Sequence, residues 1–424
     1  MTTKAPKVAF QSLGCRVNRV ETDVIVGELR SLGFELSSER DAQAIVINTC
    51  AVTGEAEAKT RKAIRHAASL PQHPVVVATG CVATLFYSEL SDLADNVVVE
   101  VDKSHVARRV MDELELDGTS LVSGARFDTP TSTGRTRPGI KIQDGCDLRC
   151  TYCIVWKARG ASRSVSPSDV ISQVRAACDA GAREVVLTGI NLGRYQSADD
   201  DGHDLLLPGL IDLLLSKTDV GRIRLGSIEP QDVDRDLVRL MAESCGRVAP
   251  FLHMCLQSGC DATLRRMGRV YDSSLFCERL ELVREHVPNA AFGTDLIVGF
   301  PQESDAEFEE SRAFCEEARF SHIHAFRYSR RPGTPAAEME GQVDPMVAAR
   351  RAAQVGELSR RMRLENARLL QGTSDLVVVQ SPGRGVSGGL FDVVLDPEVA
   401  VGELVPVHVT GVTDDATLIC DVTS

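Results

Sequence analysis

Three cysteines, Cys146, Cys150 and Cys153, lie within one eight-residue stretch, CDLRCTYC. A structural zinc site usually has four protein ligands and leaves no position open. The sequence offers no fourth cysteine or histidine beside this stretch. Three thiolates can hold three irons of a [4Fe–4S] cubane and leave the fourth iron open to another ligand. The spacing therefore predicts such a cluster, with zinc as the alternative.

Three further cysteines, Cys15, Cys50 and Cys81, each follow a predicted buried strand (KVAFQSLG, AIVINT and VVVATG). Predicted helices alternate with these strands, a pattern typical of a doubly wound parallel sheet. Ligands of such sheets bind beyond the carboxyl ends of the strands. The cysteines are 35 and 31 residues apart, about one strand–helix period each. We therefore expect the three thiols to converge at a second metal site; three separate core cysteines are the alternative.

The elements that must position these thiols indicate three domains in an α/β chain. Residues 1–125 predict the doubly wound parallel-sheet domain, and the polar segment 126–138 predicts a linker. Residues 126–370 predict an incomplete (β/α)6 barrel, because six strand-like runs alternate with helical stretches. Short strands separated by glycines predict a small β-barrel-like module at 371–424. The six strand-like runs of the central domain begin at residues 139, 184, 222, 251, 291 and 322.

Composition indicates the cellular compartment and the redox state of these cysteines. The chain has 424 residues, thirteen cysteines and a net charge of −13. It shows no apolar run long enough to cross a membrane and no signal peptide, so we expect a cytoplasmic protein with reduced thiols. The net charge argues against nonspecific nucleic-acid binding, although local basic clusters can still attract RNA. Those clusters lie at 59–66, 134–141, 265–269 and 349–370.

The stretch CDLRCTYC at the mouth of a six-strand barrel resembles the radical S-adenosylmethionine superfamily. The preceding three-cysteine domain makes the chain similar to the methylthiotransferases, and the motifs SLGCRVN, INTCAVTGEAEAKTRKAIR, ATGC, LQSG, TDLIVGFPQE and YSRRPGTP match that family's positions. The resemblance implies two [4Fe–4S] clusters, held by Cys15, Cys50 and Cys81 and by Cys146, Cys150 and Cys153. It also implies two S-adenosylmethionine molecules per turnover: one donates a methyl group to a sulfur at the first cluster, and the other yields a 5′-deoxyadenosyl radical at the second.

This family modifies three kinds of substrate: isopentenyladenosine in tRNA, threonylcarbamoyladenosine in tRNA, and an aspartate of a ribosomal protein. The motifs GCRVN and LTGINLGRY are most similar to the threonylcarbamoyladenosine branch. The resemblance therefore implies a tRNA (N6-L-threonylcarbamoyladenosine(37)-C2)-methylthiotransferase. It implies as partners tRNA and a reductant such as flavodoxin or ferredoxin, with no membrane, and we expect a monomer. The alternative from another class is a nonenzymatic RNA-binding protein stapled by metal.

By the same resemblance, seven residues at strand ends and in the cluster loop contact S-adenosylmethionine, and no side chain beyond the cluster ligands is expected to be catalytic. For each of the seven, a loop cap or a core position is the alternative. The predicted contacts are Tyr152, Thr188, Gly189, Glu229, Gln257, Asp295 and Val298.

The C-terminal module departs from the family pattern, in which basic residues of this module grip RNA. Residues 371–424 contain one arginine, Arg384, no lysine, and eight aspartates or glutamates. An acidic surface repels phosphate. We therefore expect the module to be structural, with tRNA held by the barrel rim and by the helical segment 345–370.

Overall fold

The computed structural model describes residues 5–116, 135–198 and 202–423. Most of the predicted linker, residues 126–134, and the predicted domain boundary at 125 lie outside these ranges. The chain forms two compact units. The first unit comprises Met1–Arg135, Gly145–Asp147 and Cys153–Ala161, and the second comprises Thr136–Asp144, Leu148–Tyr152 and Ser162–Ser424.

The first unit contains a parallel five-stranded sheet in the order β2-β1-β3-β4-β5. The chain winds outward in both directions from β1 and β3, so the switch point of the sheet lies between these two strands. This confirms the predicted doubly wound sheet. The strands are β1 (Lys7–Ser12), β2 (Glu35–Leu36), β3 (Ala44–Thr49), β4 (Val75–Gly80) and β5 (Val97–Val99). The helices are α1 (Arg16–Ser31), α2 (Gly54–Ala68), α3 (Cys81–Leu85), α4 (Tyr87–Ser91), α5 (Val106–Glu113) and α6 (Val155–Arg159).

Apolar alternation in the central strands supplies a core on each face of this sheet. On β3, Ile45 and Ile47 pack with Ile64 of α2. The intervening Val46 packs on the other face with Ile25 of α1. Because β3 is covered on both faces, it is buried along its whole length, and four of its six residues are apolar.

In the described part of the second unit, the parallel strands form a six-stranded arrangement in which the consecutive strands β12 and β13 count as one. This confirms the predicted incomplete (β/α)6 barrel. The strands pair as β6-β9-β12 and as β13-β14-β15-β16, and β12 and β13 are separated only by Gly226. The parallel strands are β6 (Gly139–Lys141), β9 (Glu184–Thr188), β12 (Arg222–Leu225), β13 (Ser227–Ile228), β14 (Phe251–Met254), β15 (Ala291–Val298) and β16 (His322–Arg327). Two antiparallel pairs are β7 (Gln143–Asp144) with β8 (Arg163–Ser164) and β10 (Gln196–Ala198) with β11 (Asp204–Leu206).

Eight helices of the described part of the second unit follow or connect these strands. Several begin at side-chain caps: α12 starts with a capping box in which Ser304 and Glu307 exchange hydrogen bonds. Every helix of the described ranges is too short or too polar to cross a lipid bilayer. The helices are α7 (Pro167–Asp179), α8 (Leu207–Lys217), α9 (Arg235–Glu243), α10 (Asp261–Met267), α11 (Ser273–His286), α12 (Asp305–Ala318), α13 (Pro335–Glu338) and α14 (Pro345–Leu369).

The outer faces of the barrel strands pack against these helices. Leu252 of β14, Phe292 of β15 and Ile323 of β16 share one hydrophobic cluster with Phe276 and Leu280 of α11. Successive side chains of a strand point to opposite faces. The neighbouring residues on each of these strands therefore face the inside of the barrel.

The C-terminal strands close into a five-stranded barrel in the order β17-β18-β19-β21-β20, which confirms the predicted module. Its core contains Val377, Phe391, Val393 and Leu418. The strands are β17 (Ser374–Ser381), β18 (Arg384–Val386), β19 (Asp392–Val394), β20 (Leu404–Val412) and β21 (Leu418–Val422).

Two fully buried arginines of β12 fasten this module to the central barrel. Arg224 donates from Nη1 to the Gly388 carbonyl at 2.8 Å and from Nη2 to the Ser387 carbonyl at 2.9 Å. Arg222 donates to the carbonyls of Leu376 and Val386. Both guanidinium groups also bind the buried carboxylate of Glu184, with 2.8 Å between Arg224 Nε and Glu184 Oε1.

These two arginines keep the Glu184 carboxylate ionised. Burial alone raises the pKa of a carboxyl group, but Arg224 and Arg222 outweigh this effect and lower the pKa of Glu184 to about 2. A folded-state pKa below the unfolded value stabilises the fold above pH ~4.5, and this stabilisation disappears as the pH falls towards 2.

Glu184→Gln is expected to lower the free energy of unfolding by about 3 kcal/mol at pH 7, because it removes the carboxylate charge that two buried guanidinium groups bind directly. The deficit relative to wild type should shrink between pH 4.5 and 2, where wild type also loses the charge. Denaturant unfolding followed by circular dichroism across this pH range measures it. Glu357→Gln, at an exposed position of α14, is the matched control. A pH-independent deficit would contradict the assignment.

Candidate metal centres and their surroundings

The thiols of Cys15 and Cys50 are hydrogen-bonded to each other at the carboxyl edge of the first unit's sheet. Cys15 follows β1 and Cys50 follows β3, so the pair lies at the switch point of the sheet. Thr49 and Gly80 are paired in the register of β3 and β4, and therefore Cys50 and Cys81 leave adjacent strand ends. The structure thus brings the predicted N-terminal set to one edge of the sheet.

Glycines make this close approach possible. Gly14 has a φ of +94°, and a Cβ at this position would overlap the Cβ and Sγ atoms of Cys50. Gly80 also has a φ of +94°, and its Cβ would lie 2.5 Å from the Thr49 carbonyl oxygen. Other residues rarely adopt this positive φ, and there is no room for a side chain at either position. The LGC and TGC motifs therefore need glycine before the cysteine.

The hydrogen bond divides the two thiols into a donor and an acceptor. It lowers the pKa of Cys15 to about 6 and, with burial, raises the pKa of Cys50. Arg159 contributes to the lowering at Cys15. A thiolate is the form that binds metals, and thiolate sets select iron–sulfur clusters, zinc or copper(I). The donor set therefore fits a soft metal centre.

A buried ion network surrounds these thiols. Arg159 donates from Nη1 to Glu21 Oε1 at 2.8 Å and from Nη2 to Asn18 Oδ1 at 2.8 Å. Lys103 also contacts the Glu21 carboxylate, and its charge interacts with Cys81. The two cations share one carboxylate, so this network carries a net positive charge that can offset thiolate charge.

Sequence reasoning did not identify Lys103, Arg159 or Glu21 as functional. Asn18 entered only as a branch signature, yet its side chain is buried and donates to the carbonyls of Leu13 at 3.0 Å and Thr49 at 2.6 Å. A signal was available: Asn18 and Glu21 are polar residues three positions apart on α1, next to its apolar face. Such a placement indicates buried polar partners.

The residues of the C-x3-C-x2-C loop are held by main-chain bonds within each unit. In the first unit, the Cys146 amide donates to the Gly160 carbonyl at 3.1 Å. In the second unit, the Thr151 amide donates to the Met267 carbonyl at 2.9 Å, and the Thr151 carbonyl accepts from the Ala336 amide at 2.9 Å. Cys150 is buried between these anchors, 7% exposed.

Arg269 connects three predicted site residues of the second unit, although sequence reasoning assigned it no role of its own beyond a basic cluster and a family motif. Its Nη1 lies 3.1 Å from Cys150 Sγ and 3.4 Å from the Tyr152 hydroxyl, and its Nη2 contacts the Glu229 carboxylate. The guanidinium also stacks over the Tyr271 ring, 4.8 Å from its centroid. The arginine therefore orients a predicted cluster ligand and two predicted cosubstrate contacts together.

The other predicted contacts lie at the carboxyl ends of the barrel strands. The Gln257 amide, at a φ of +66°, donates to the Asp295 carbonyl at 2.9 Å. A Cβ on Gly189 would lie 2.9 Å from Gln143 Oε1, and Thr188 is buried at the end of β9.

Val298 differs from the other predicted contacts because its side chain packs in the core on the helix side of β15. Only its main chain is placed to reach the inside of the barrel. All seven assignments to the cosubstrate stay predictions.

Three histidines near the predicted residue Asp295, inside the barrel, were not identified from the sequence. His253 Nε2 lies 3.0 Å from Asp295 Oδ1, and His322 Nε2 lies 3.1 Å from His324 Nδ1. Burial, with His324 and Arg363 nearby, lowers the pKa of His322 to about 4, so the His322 ring is neutral at pH 7. The available signal was the HIH alternation on β16 and a single histidine within the apolar run FLHM.

Comparison with known proteins places this arrangement in a family. Residues 140–315 match the model of the radical SAM superfamily, and residues 7–101 match that of the uncharacterized protein family UPF0004. The chain is 37% identical to the threonylcarbamoyladenosine tRNA methylthiotransferase MtaB of Bacillus subtilis, over 85% of this chain and 82% of the relative. For the MtaB of Aquifex aeolicus the identity is 33%, over 95% and 99%. The chain belongs to the radical S-adenosylmethionine methylthiotransferase family.

Other relatives are named for a different substrate. A tRNA-2-methylthio-N(6)-dimethylallyladenosine synthase of Erythrobacter litoralis is 32% identical, over 96% of this chain and 95% of the relative. Among solved structures, the radical S-adenosylmethionine methyltransferase TsrM of Kitasatospora setae superposes with a TM-score of 0.56 at 13% identity. That match covers 79% of this chain and 75% of TsrM, and it supports the fold alone.

The family uses S-adenosylmethionine and a [4Fe–4S] cluster. The residues present fit such groups: thiols converge on a glycine-cleared edge in the first unit, and Cys150 accepts a charged hydrogen bond in the second. Cluster sulfurs and thiolates commonly accept such bonds, which tune the cluster.

Arg269→Met is expected to weaken S-adenosylmethionine binding at least about tenfold, or ~1.4 kcal/mol. The change removes the donor to Cys150 and leaves the Glu229 carboxylate without its counter-charge. Equilibrium binding to anaerobically reconstituted protein measures the effect. Arg265→Met, at an exposed position of the same segment, is the matched control and should bind as wild type. Equal affinity of all three proteins would remove Arg269 from the site.

Proposed function

We propose that this protein adds a methylthio group to C2 of N6-threonylcarbamoyladenosine at position 37 of tRNA. The observation that carries the proposal is the similarity to MtaB enzymes of four organisms, at 31–37% identity over 85–98% of this chain. Dimethylallyladenosine synthases are similar at 30–34% identity, so the isopentenyl substrate is the alternative. A ribosomal-protein aspartate remains the third candidate from the sequence motifs.

We also propose that the protein holds two [4Fe–4S] clusters. Cys15, Cys50 and Cys81 would hold one, and Cys146, Cys150 and Cys153 the other. Three-thiolate ligation leaves one iron of each cluster open, and such clusters, with two S-adenosylmethionine molecules per turnover, supply sulfur-based methyl transfer and radical hydrogen abstraction. The contact between the Cys15 and Cys50 thiols supports the first assignment.

The chain's own residues would prepare both centres. Arg159 contributes to the lowered pKa of Cys15 and so favours its ionised, metal-binding form, and Lys103 places a further positive charge near Cys81. Arg269 would hold Cys150 and Glu229 in the geometry that the cosubstrate meets. Burial of Cys50, Cys81 and Cys150 limits the access of water to these three ligands.

The branch motif GCRVN would act on substrate choice indirectly. Since the Asn18 side chain is buried and bonds Leu13, Thr49 and Arg159, it positions the turn that carries Cys15. Direct contact with a nucleoside is better supplied by other residues of the chain.

The proposed partners are tRNA and a reductant such as flavodoxin or ferredoxin, with the protein acting as a monomer. On α14, Arg350, Arg360 and Arg368 are exposed and suited to phosphate contacts. Arg351 of the same helix is buried against Glu303 at 2.7 Å, so its charge serves the fold.

Iron content tests the two-cluster assignment. Anaerobically reconstituted wild type should hold about eight irons per chain, and a Cys15→Ala, Cys50→Ala, Cys81→Ala variant about four. That variant should still cleave S-adenosylmethionine, because the other cluster is retained. The matched control replaces Cys178, Cys245 and Cys277 with alanine and should keep about eight. About four irons in wild type would refute the second cluster.

Nucleoside analysis tests the substrate. In a strain lacking the gene, mass spectrometry of tRNA digests should show loss of 2-methylthio-N6-threonylcarbamoyladenosine and accumulation of its unmethylthiolated precursor. The 2-methylthio form of isopentenyladenosine should be unchanged. Loss of the isopentenyl product instead would transfer the assignment to the alternative branch, and an unchanged tRNA profile would leave the protein aspartate.

A further inference from the structure

Three neighbouring strands place polar side chains on the inner face of the barrel. In the parallel register, His253 of β14 is paired with Gly293 of β15, and Asp295 is paired with His324 of β16. The alternate residues of these strands pack outward against the helices. His253, Asp295 and His324 therefore line the inside, and their side-chain donor and acceptor atoms lie within 4.8 Å of one another.

One nitrogen of this set, His253 Nε2, can accept a hydrogen bond from a bound molecule or donate one to it. His253 Nε2 is buried and makes no hydrogen bond within the described ranges, although Asp295 Oδ1 lies only 3.0 Å away. The two atoms are close but badly aligned for a bond to each other. A buried polar atom normally has a hydrogen-bond partner. Where the protein supplies none, the atom marks a place at which a ligand or water makes the bond.

An exposed aromatic ring continues this inner face. Phe326 is 37% exposed, and its ring centroid lies 6.3 Å from that of His324. The two residues are two positions apart on β16, so their side chains leave the same face of the strand. Aromatic rings exposed beside polar groups are the usual platforms on which proteins stack an unpaired base.

We infer that this inner face is the subsite for the N6-modified adenosine, with Phe326 stacking on the base and His253 and His324 hydrogen-bonding the polar threonylcarbamoyl group. The inference rests on the proposed function, and it names the residues that select the polar substrate over the isopentenyl one.

The chemistry of the two N6 groups favours this choice. A threonylcarbamoyl group carries a urea, a hydroxyl and a carboxylate, which can pair with imidazole nitrogens. An isopentenyl group has no hydrogen-bonding atom and would leave His253 Nε2 buried and unpaired. A site built to hydrogen-bond its substrate discriminates strongly against an analogue that lacks those atoms.

A substrate–variant cycle tests the subsite. Wild type and His324→Leu are compared by kcat/KM on tRNA carrying N6-threonylcarbamoyladenosine and on tRNA carrying N6-methylcarbamoyladenosine, which lacks the hydroxyl and carboxylate. His324→Leu should lower kcat/KM about 100-fold on the first tRNA and less than about fivefold on the second. Phe326→Leu should lower kcat/KM on both. His286→Leu, at an exposed position of α11, is the matched control and should follow wild type.

The outcomes separate the inference from the proposed function. Equal losses on the two tRNAs, or no loss for His324→Leu, would overturn the subsite while wild-type activity on the threonylcarbamoyl tRNA upheld the function. Wild type active only on isopentenyl tRNA would overturn the function itself. One zinc per reconstituted chain, bound through nitrogen and oxygen only and lost in His324→Leu, would show that the three side chains hold a metal and would also overturn the subsite.

Discussion

The contact between the Cys15 and Cys50 thiols is the constraint on which the first unit depends. Two sulfurs can lie side by side at a sheet edge only if the chain turns sharply there and if charge on them is offset. Gly14 provides the turn, since any side chain would collide with Cys50. Asn18 fixes the turn to the end of β3, and it also holds Arg159. The same short motif therefore builds the shape and the electrostatics of the candidate centre.

Buried arginines perform a comparable task in the second unit. Arg269 binds a candidate cluster ligand and a carboxylate, and Arg222 and Arg224 bind Glu184 together with main-chain carbonyls of the C-terminal module. A guanidinium presents five donors in a rigid fork, so it can satisfy several buried acceptors at once. Breaking such a group by removing one partner is costly, because the remaining charge stays buried.

The sequence allowed β1, β3 and β4, the six strand-like runs of the central domain and the six candidate ligand cysteines to be predicted, because each depends on local periodicity or spacing. The strand–helix period was enough to place Cys15, Cys50 and Cys81 at one sheet edge. The partners of these residues could not be predicted in the same way. Arg159 meets Glu21 across 138 residues, and Arg269 meets Cys150 across 119. Such pairs form only when the folded chain brings distant segments together. A single sequence shows no periodic pattern that would predict which residues meet.

The way the C-terminal module is fastened bears on where RNA binds. Arg222 and Arg224 donate hydrogen bonds to main-chain carbonyls of this module. Most of the module's eight acidic side chains are therefore not used to attach it to the barrel. Its surface stays acidic and unfavourable to phosphate. The arginines that fasten it are fully buried, which makes the module part of the barrel's support. Under the proposed function, the positive charge that tRNA needs would come mainly from outside this module, and the exposed arginines of α14 directly precede it in the chain.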